Sequence, residues 1–268
     1  MPHRPEDHAP PCPPAQRRRQ AVLGVPIDAL SPAEALDRVA AWADAGDSRY
    51  VCFCNVHSVV TASRDAAFGA VVAGADLAAP DGAPVAWAMR RAGLPGQRRV
   101  SGPDFMLEYL QAAAGRGEPV YLYGGSEQTL QRLVERLHER LPRLVIAGTC
   151  SPPFRALNAD EEAAIVERIN ASGARTVWVS LGCPKQEQWM ARHRGRIGAV
   201  MLGVGAAFDF HAGTIQRAPA WMRHGGLEWL HRLLSEPRRL WKRYLVTNTL
   251  FLAGVARQVW RGDRSATG

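Results

Sequence analysis

The chain of 268 residues is 47% hydrophobic, which is enough to fill the core of one large α/β domain with a small appendage and excludes a chain that is disordered throughout. The formal net charge of +8 is concentrated at the ends: residues 217–262 carry nine basic side chains against two acidic ones, whereas residues 21–216 are nearly neutral. A basic segment of this kind suits an anionic partner, namely a phosphate group, a membrane surface or a nucleic acid.

The N-terminal segment and the cysteines indicate a cytoplasmic protein. Residues 1–20 are rich in Pro and Arg and have no apolar stretch, so they predict a disordered leader rather than a signal peptide. No apolar run reaches the ~20 residues that a membrane-spanning helix needs. The five cysteines form no CxxC pair, which predicts reduced thiols, and Cys52 and Cys54 alternate along an apolar run as core residues do.

Short apolar strands and helices alternate along residues 21–216. The first helix is predicted to begin after Ser31, because Ser31-Pro32-Ala33-Glu34 combines an N-cap, a Pro at the first position and a Glu that reaches back to the cap. The alternation predicts an α/β fold with a Rossmann-like, mainly parallel sheet and helices on both faces. The predicted strands are residues 50–54, 77–80, 120–123, 144–147, 176–181 and 199–204, and the further helices are residues 63–73, 127–141, 160–171 and one that begins near residue 185.

Residues 217–262 show a different pattern, with leucines at helical spacing among many Arg and Trp and no strand signal. The pattern predicts a helical, basic C-terminal appendage of two amphipathic helices broken at Pro237. Because amphipathic Trp beside basic side chains favours the lipid headgroup layer, we expect this appendage to contact a membrane surface. The alternative, that these aromatic rings pack onto the α/β body, stays open.

Asp81 is the most interesting carboxylate in the chain. It ends the predicted strand 77–80 and precedes Gly82, which permits a sharp turn. Ligands of parallel sheets bind beyond the carboxyl ends of the strands, so a carboxylate there can take a proton from a substrate hydroxyl group. The alternative role is that of an N-cap for a helix starting at Ala83.

Other strand ends are rich in glycine. The run from Gly182 to Glu187 combines a tight turn, a Pro at a helix start and Lys185, and free N–H groups at such a helix start suit a phosphate or a hydroxyl group. Gln186 can hydrogen-bond a ligand there, although the run is equally compatible with an ordinary strand-to-helix loop. Residues 203–205 lack the third Gly of a dinucleotide fingerprint, and no Walker loop is present.

Motifs for metal binding are weak in this sequence, which has no DxD, HxxxH or HExxH pattern. We therefore predict no metal ion and no cofactor. If a substrate carries a diphosphate leaving group, protein side chains must then neutralise its charge. The arginines of the C-terminal appendage can do so, because guanidinium groups match phosphate oxygens.

These segments together resemble the WecG/TagA/CpsF family of bacterial glycosyltransferases. No single segment is diagnostic, but the ordered set is specific and covers about residues 21–250. One position departs from the family pattern, because Phe53 stands where several members carry Thr. The matching segments are residues 23–28, Asn55 and residues 75–82, 99–104, 123–125, 179–187, 203–209, 217–219 and 226–229.

The resemblance implies an inverting, metal-independent enzyme on the inner face of the cell membrane, with a UDP-sugar as donor and an undecaprenyl-diphosphate-linked saccharide as acceptor. It implies that Asp81 is the general base and that Asn55, Arg99 and Gln186 line the cleft. The further positions that we assign to substrate binding are Gly82, Gly124, Gly182, Lys185 and Asp209. The residues that we assign to the diphosphate, on the appendage that closes over the site, are Arg217, Arg223 and Arg232.

Two other functions remain as alternatives. A Rossmann-type oxidoreductase predicts a full glycine fingerprint and an acidic residue ~20 positions later, and neither is found. A basic nucleic-acid binder predicts a recognisable module with aromatic residues on a sheet, whereas the Trp residues here lie on predicted helices, so we expect no nucleic acid. The donor sugar, the acceptor glycan, the linkage, the pathway and self-association stay open.

Overall fold

The computed structural model describes residues 17–265, without the side chains at positions 224, 239, 243 and 261–265. Most of the predicted leader, with Cys12, lies outside the described residues. Within them, Cys52 and Cys54 are buried in the core, and Cys150 and Cys183 are partly buried.

Eight strands form two sheets in the described part of the chain. Six parallel strands form the main sheet in the order β4-β3-β8-β7-β5-β6, and a small antiparallel hairpin, β1-β2, stands beside it. The mainly parallel α/β fold that the sequence predicts is therefore confirmed. The strands are β1 (Arg19–Val22), β2 (Val25–Asp28), β3 (Arg49–Cys54), β4 (Leu77–Pro80), β5 (Pro119–Gly124), β6 (Val145–Cys150), β7 (Thr176–Ser180) and β8 (Val200–Gly203).

Twelve helices are assigned in the same residues. The first begins as predicted, since Ser31 and Glu34 form a reciprocal capping box. The helices are α1 (Pro32–Ala45), α2 (Val56–Arg64), α3 (Ala66–Ala73), α4 (Ala83–Arg91), α5 (Gly102–Arg116), α6 (Glu127–Arg140), α7 (Ala159–Ala171), α8 (Lys185–His193), α9 (Ala207–Ala212), α10 (Ala220–His224), α11 (Glu228–Ser235) and α12 (Pro237–Ser265).

Helices cover both faces of the main sheet. One face, the α1 face, carries α1, α5, α6 and α9 around the fully buried Trp178. The other, the α2 face, carries α2, α3, α4, α7, α8 and part of α12. Because β3, β4, β7 and β8 are packed on both sides, their sequences read as continuous apolar runs rather than as alternating ones.

The helix predicted over residues 63–73 is broken at Asp65. The structure has two helices in this region, α2 and α3, because the Asp65 carboxylate accepts hydrogen bonds from the backbone N–H groups of Ala67 and Phe68. An Asp that caps the next helix in this way ends the preceding one. The helix α2 itself was not predicted.

The hairpin β1-β2 begins inside the predicted leader, whose boundary was set at residue 20. Arg17 makes a bidentate ion pair with the buried Asp28, at 2.6 and 2.7 Å, and Arg19 lies 3.4 Å from the same carboxylate. Asp28 also accepts a hydrogen bond from the backbone N–H of Ala78 on β4, at 2.6 Å. These contacts fix the hairpin against the edge of the main sheet.

The C-terminal segment is helical, and α12 begins at Pro237, where the sequence predicts a break. The far half of α12 returns to the α2 face and buries Phe251 and Val255 there. Gln258 accepts a hydrogen bond from the N–H of Leu23 at 2.9 Å and donates one to the carbonyl of Ala21 at 2.7 Å. The end of the chain is thereby attached to the hairpin at its beginning.

Candidate active site

Asp81 lies at the carboxyl end of β4, the edge strand of the main sheet. Its backbone N–H donates to the carbonyl of Cys54 at 3.0 Å, which continues the β3-β4 pairing one residue beyond the strand. Gly82, with a φ of 85°, then turns the chain into α4 and occupies the N-cap position. Asp81 is therefore not the cap of α4, and its side chain is available for another role.

The Asp81 carboxyl group is poised between its two protonation states near neutral pH. Its pKa is raised to about 7, chiefly by burial and then by the negative charge of Glu228, while Arg99 and the N–H of Gly82 act in the opposite direction. The side chain keeps partial access to solvent. A carboxylate with such a pKa can accept a proton efficiently at physiological pH.

A charged cluster connects the strand end to the C-terminal helices. Arg217 donates to Asp104 at 2.6 Å and to Glu228 at 3.2 Å, and Arg223 lies 3.4 Å from Asp104. Arg99 lies 3.6 Å from Glu228. The five side chains of the charged cluster are Arg99, Asp104, Arg217, Arg223 and Glu228.

Arg217 is held by contacts on several sides. Besides its two carboxylate partners, it lies 3.4 Å from the hydroxyl of Ser101, and its guanidinium group stands over the ring of Phe210 at 5.9 Å. Burial would raise the pKa of Asp104, but the hydrogen bond and the charge of Arg217 outweigh burial and hold that pKa below its usual value. Arg217 therefore has little capacity left for a ligand.

Arg223 and Arg232 differ from Arg217 in this respect. Each has a buried Nε atom without a hydrogen-bond partner among the described residues. The guanidinium group of Arg232 lies over Phe210 at 5.4 Å, which orients it by a cation–π contact. Buried N–H groups of native proteins are nearly always paired, so these two are the arginines of the predicted set that can still bind an anion.

The turn between α10 and α11 packs directly on the start of α4. A Cβ atom on Gly226 would lie 2.7 Å from the Cβ of Ala83, and Gly226 has a φ of 73°. Only glycine permits this approach without strain. The C-terminal helices are thus packed beside Asp81 and Gly82.

A second group of predicted residues lies in the middle of the sheet, at the carboxyl ends of β5 and β7. The helices that follow these two neighbouring strands, α6 and α8, leave toward opposite faces. This is the arrangement that opens a ligand crevice in α/β sheets. With strands ~4.8 Å apart, the end of β7 lies about 14 Å from the end of β4.

The glycines at this crevice have distinct roles. Gly124 packs so closely on β7 that a Cβ there would overlap the carbonyl group of Ser180, so it is required for strand packing. Gly182 is exposed, with a φ of 77°, and Lys185 is exposed at the start of α8. Gly182 and Lys185 are the members of this group that face solvent.

Gln186 is buried beneath the same loop rather than directed into the crevice. Its carbonyl oxygen accepts from the N–H of Gly182 at 3.2 Å, and its amide nitrogen donates to the carbonyl of Gly203 at 2.9 Å and to Glu187 at 3.0 Å. With its amide engaged in this way, Gln186 positions the loop, in place of the ligand contact expected from the sequence.

Asn55 and Asp209 both make local contacts. Asn55 ends β3 beside Asp81, and its side chain accepts from the N–H of Ser58 as the N-cap of α2, while the residue remains exposed. Asp209 lies on α9 and accepts from the hydroxyl of Thr214 at 3.1 Å. Phe53, next to Asn55, is a core residue whose ring lies 5.2 Å from that of Phe105.

Sequence reasoning missed Asp104 and Glu228 as members of the site. Both stand in segments that resemble the family, near arginines that the sequence singles out, but nothing in their spacing relates one to the other.

A cavity of about 750 Å³ opens elsewhere, beside Cys150 and Ser151 at the end of β6. Ser151 donates to the carbonyl of Gly125 at 2.7 Å, so this cavity adjoins the central crevice.

Residues 17–265 contain no group of three or more His, Cys, Asp or Glu side chains placed to hold a metal ion. In the same residues, every helix is too short or too polar to cross a bilayer.

Comparison with known proteins identifies the family. The sequence profile of the glycosyl transferase WecG/TagA/CpsF family matches residues 20–265. A curated relative from Bacillus spizizenii (strain ATCC 23059 / NRRL B-14472 / W23) is 30% identical over 203 residues, which are 75% of this chain and 77% of the relative. That relative is named N-acetylglucosaminyldiphosphoundecaprenol N-acetyl-beta-D-mannosaminyltransferase. The match over nearly the whole chain and the related transferase show that this chain is a glycosyltransferase and belongs to the WecG/TagA/CpsF family.

Proposed function

We propose that this enzyme is an inverting, metal-independent glycosyltransferase that moves a sugar from a UDP-sugar to an undecaprenyl-diphosphate-linked saccharide during bacterial surface polysaccharide synthesis. The name of the Bacillus relative supports this acceptor class and makes N-acetylmannosamine the first donor sugar to test. Membership of a transferase family decides against the oxidoreductase alternative.

The observation that carries the proposal is the Asp81 carboxyl group, with a pKa of about 7, beside Arg99 and Glu228 at the carboxyl end of the main sheet. In the proposed reaction, Asp81 removes the proton of the acceptor hydroxyl while that oxygen bonds to the anomeric carbon of the donor. The bond from this carbon to the diphosphate breaks, and its electron pair leaves with UDP. A single displacement of this kind inverts the anomeric configuration.

Arginine side chains supply the positive charge that a metal ion supplies in other transferases. We assign the leaving diphosphate to Arg223 and Arg232, because each has a buried Nε without a partner in the part of the chain that the structure describes. The Lys185 side chain and the turn at Gly182 are exposed at the same edge of the sheet, and Lys185 can bind the donor about 14 Å from Asp81. Such preorganised donors stabilise developing negative charge in the transition state.

The enzyme is proposed to bind peripherally to the inner face of the cell membrane, where a cytoplasmic UDP-sugar meets a lipid-linked acceptor. Support comes from α12, on which Trp241, Leu245 and Leu252 are exposed within about 40° of one another around the helix axis. Exposed apolar side chains interspersed with Arg238 and Lys242 are typical of helices that lie in the headgroup layer.

An assay of UDP release tests the proposal. The purified full chain is incubated with a panel of UDP-sugars, beginning with UDP-N-acetylmannosamine, and with a lipid-diphosphate N-acetylglucosamine acceptor. We expect UDP release that requires the acceptor, persists in excess EDTA and yields a product of inverted anomeric configuration by NMR. Absence of acceptor-dependent release with every donor would refute the function, and loss of activity in EDTA that added Mg²⁺ restores would refute metal independence.

A further inference from the structure

Glu228 joins the C-terminal helices to the base site through a single carboxylate. It is the first residue of α11, and its side chain is 20% exposed. One oxygen lies 3.2 Å from Nε of Arg217, which precedes α10, and the other lies 3.6 Å from Nη1 of Arg99, which lies before α5. The carboxylate therefore bridges an arginine of the C-terminal segment and an arginine of the α/β body.

Asp104 makes the matching bridge from the other side. It lies on α5 of the body, and its carboxylate pairs with Arg217 at 2.6 Å and with Arg223 at 3.4 Å. The charged cluster thus alternates in sign and crosses three times between the body and the C-terminal helices. Because Arg217 and Glu228 are mostly buried, these pairs are screened less than surface ion pairs are.

We propose that Glu228 is a positioning residue of the glycosyl transfer, which couples docking of the C-terminal helices to the base site by pairing Arg217 and Arg99 at once. The inference rests on the proposed function and deepens it. Docking delivers Arg223 and Arg232 for the diphosphate, and the same movement brings the negative charge of Glu228 beside Asp81. The two arginines that bind the donor diphosphate and an effective base are then brought together.

The direction of the electrostatic effect follows from the groups around Asp81. The charges that face it are Glu228 on α11, Arg99 before α5 and Asp104 on α5, together with the N–H of Gly82. Glu228 raises the pKa of Asp81 and Arg99 lowers it. Without docked C-terminal helices, Asp81 would keep the charges of Arg99 and Asp104 but lose the effect of Glu228, and would be a weaker base.

The test compares the pH dependence of kcat/KM for Glu228→Gln and Arg99→Gln. Asp81 acts in its ionised form, so kcat/KM falls as pH drops through the pKa of Asp81. We expect Glu228→Gln to move this acidic limb to lower pH and Arg99→Gln to move it to higher pH. Opposite shifts from two neutralising substitutions distinguish an electrostatic role from simple disruption of the fold.

Glu108→Gln is the matched control, because Glu108 is an exposed residue on α5 and its substitution changes the net charge by the same amount. The acidic limb of the kcat/KM profile of Glu108→Gln is expected to coincide with that of the wild type. The inference is overturned if Glu228→Gln keeps the wild-type limb, or if both test variants shift in the same direction. Failure of the proposed function is a separate result, since the wild-type chain would then show no sugar transfer to measure.

Discussion

Asp81 combines a turn position with a charged environment, and each contributes to its chemistry. The residue stands one position beyond β4 because Gly82 can adopt a positive φ, and α4 begins without using the carboxylate as a cap. Burial then makes the ionised form costly, while Arg99 limits that cost. If Asp81 is the base, as proposed, its burial lowers the stability of the folded chain at neutral pH and raises the reactivity of the carboxylate.

Asp81→Asn should abolish turnover while leaving UDP affinity unchanged, because the amide cannot accept the proton but preserves the shape of the site. Activity by UDP release and affinity by isothermal titration calorimetry measure the two effects. Turnover near the wild-type level would rule out Asp81 as the base. Loss of UDP binding together with turnover would indicate a damaged site instead.

The same variant should be more stable than the wild type at pH 8. The folded pKa of about 7 lies above the ordinary value of 3.8, so the wild type loses stability as pH rises between these two values, by up to about 4 kcal/mol. The gain from Asn should vanish below about pH 4. Denaturant unfolding at pH 4 and pH 8 measures it, with the exposed Asp37→Asn on α1 as a control that should show no such gain. An equal gain at both pH values would contradict a raised pKa.

At the scale of elements, the long helix α12 has two different sides. One side packs on α2 and the hairpin through Phe251, Val255 and Gln258, and another exposes Trp241 and Leu245. The helix is therefore part of the α2-face core at its far end and a surface element near its start. Because α12 is attached to β1-β2 at its far end, the α10-α11 segment is held between α12 and the start of α4.

Phe251→Ala should lower the free energy of unfolding by about 3–5 kcal/mol, because Phe251 is 1% exposed and its removal leaves a cavity. Leu252→Ala is the matched control, since Leu252 is 58% exposed and its substitution should cost within about 0.5 kcal/mol. Chemical denaturation measures both. Equal small effects would mean that α12 is not packed on the core in solution.

At the scale of the whole molecule, the apolar and basic surface of α12 and the proposed base Asp81 belong to one assembly. The C-terminal helices contact the start of α4 through Gly226 and the body through the charged cluster. Binding of these helices to a membrane would therefore hold Asp81 near a lipid-linked acceptor.

A triple variant with Trp241→Ser, Leu245→Ser and Leu252→Ser should bind anionic phospholipid vesicles at least about tenfold more weakly. Removing three exposed apolar side chains from the membrane contact costs more than the ~1.4 kcal/mol that a factor of ten represents. Vesicle cosedimentation measures binding, and added salt should weaken that of the wild type. Val145→Ser, on the exposed edge of β6, should bind like the wild type. Unchanged binding of the triple variant would exclude α12 as the contact surface.

Much of the fold could be predicted because its signals are local. The six strands of the main sheet are predicted within one residue at each start, although β6 runs three residues further than predicted, and the Ser31 cap is predicted at its position. Apolar runs and capping patterns lie within a few consecutive residues, which makes them readable. The hairpin strands β1 and β2 were not predicted. The helices α2, α4, α5 and α9 were not predicted. α5 starts with Gly-Pro and is buried on much of its surface, so it has no clear amphipathic pattern. Asn55 was identified as a ligand candidate, whereas the structure also uses it as the cap of α2.

The sequence by itself determined the alternating α/β order, the helical C-terminal segment and the position of Asp81 at a strand end. Only the tertiary structure decided that Asp104 and Arg217, which are 113 residues apart, form an ion pair, and that Glu228 reaches Arg99. It also decided that Gln186 is buried and that the Nε atoms of Arg223 and Arg232 have no hydrogen-bond partner among the described residues. The physical reason is that propensity and periodicity act over a few residues, whereas pairing and burial depend on which distant segments share one place in space.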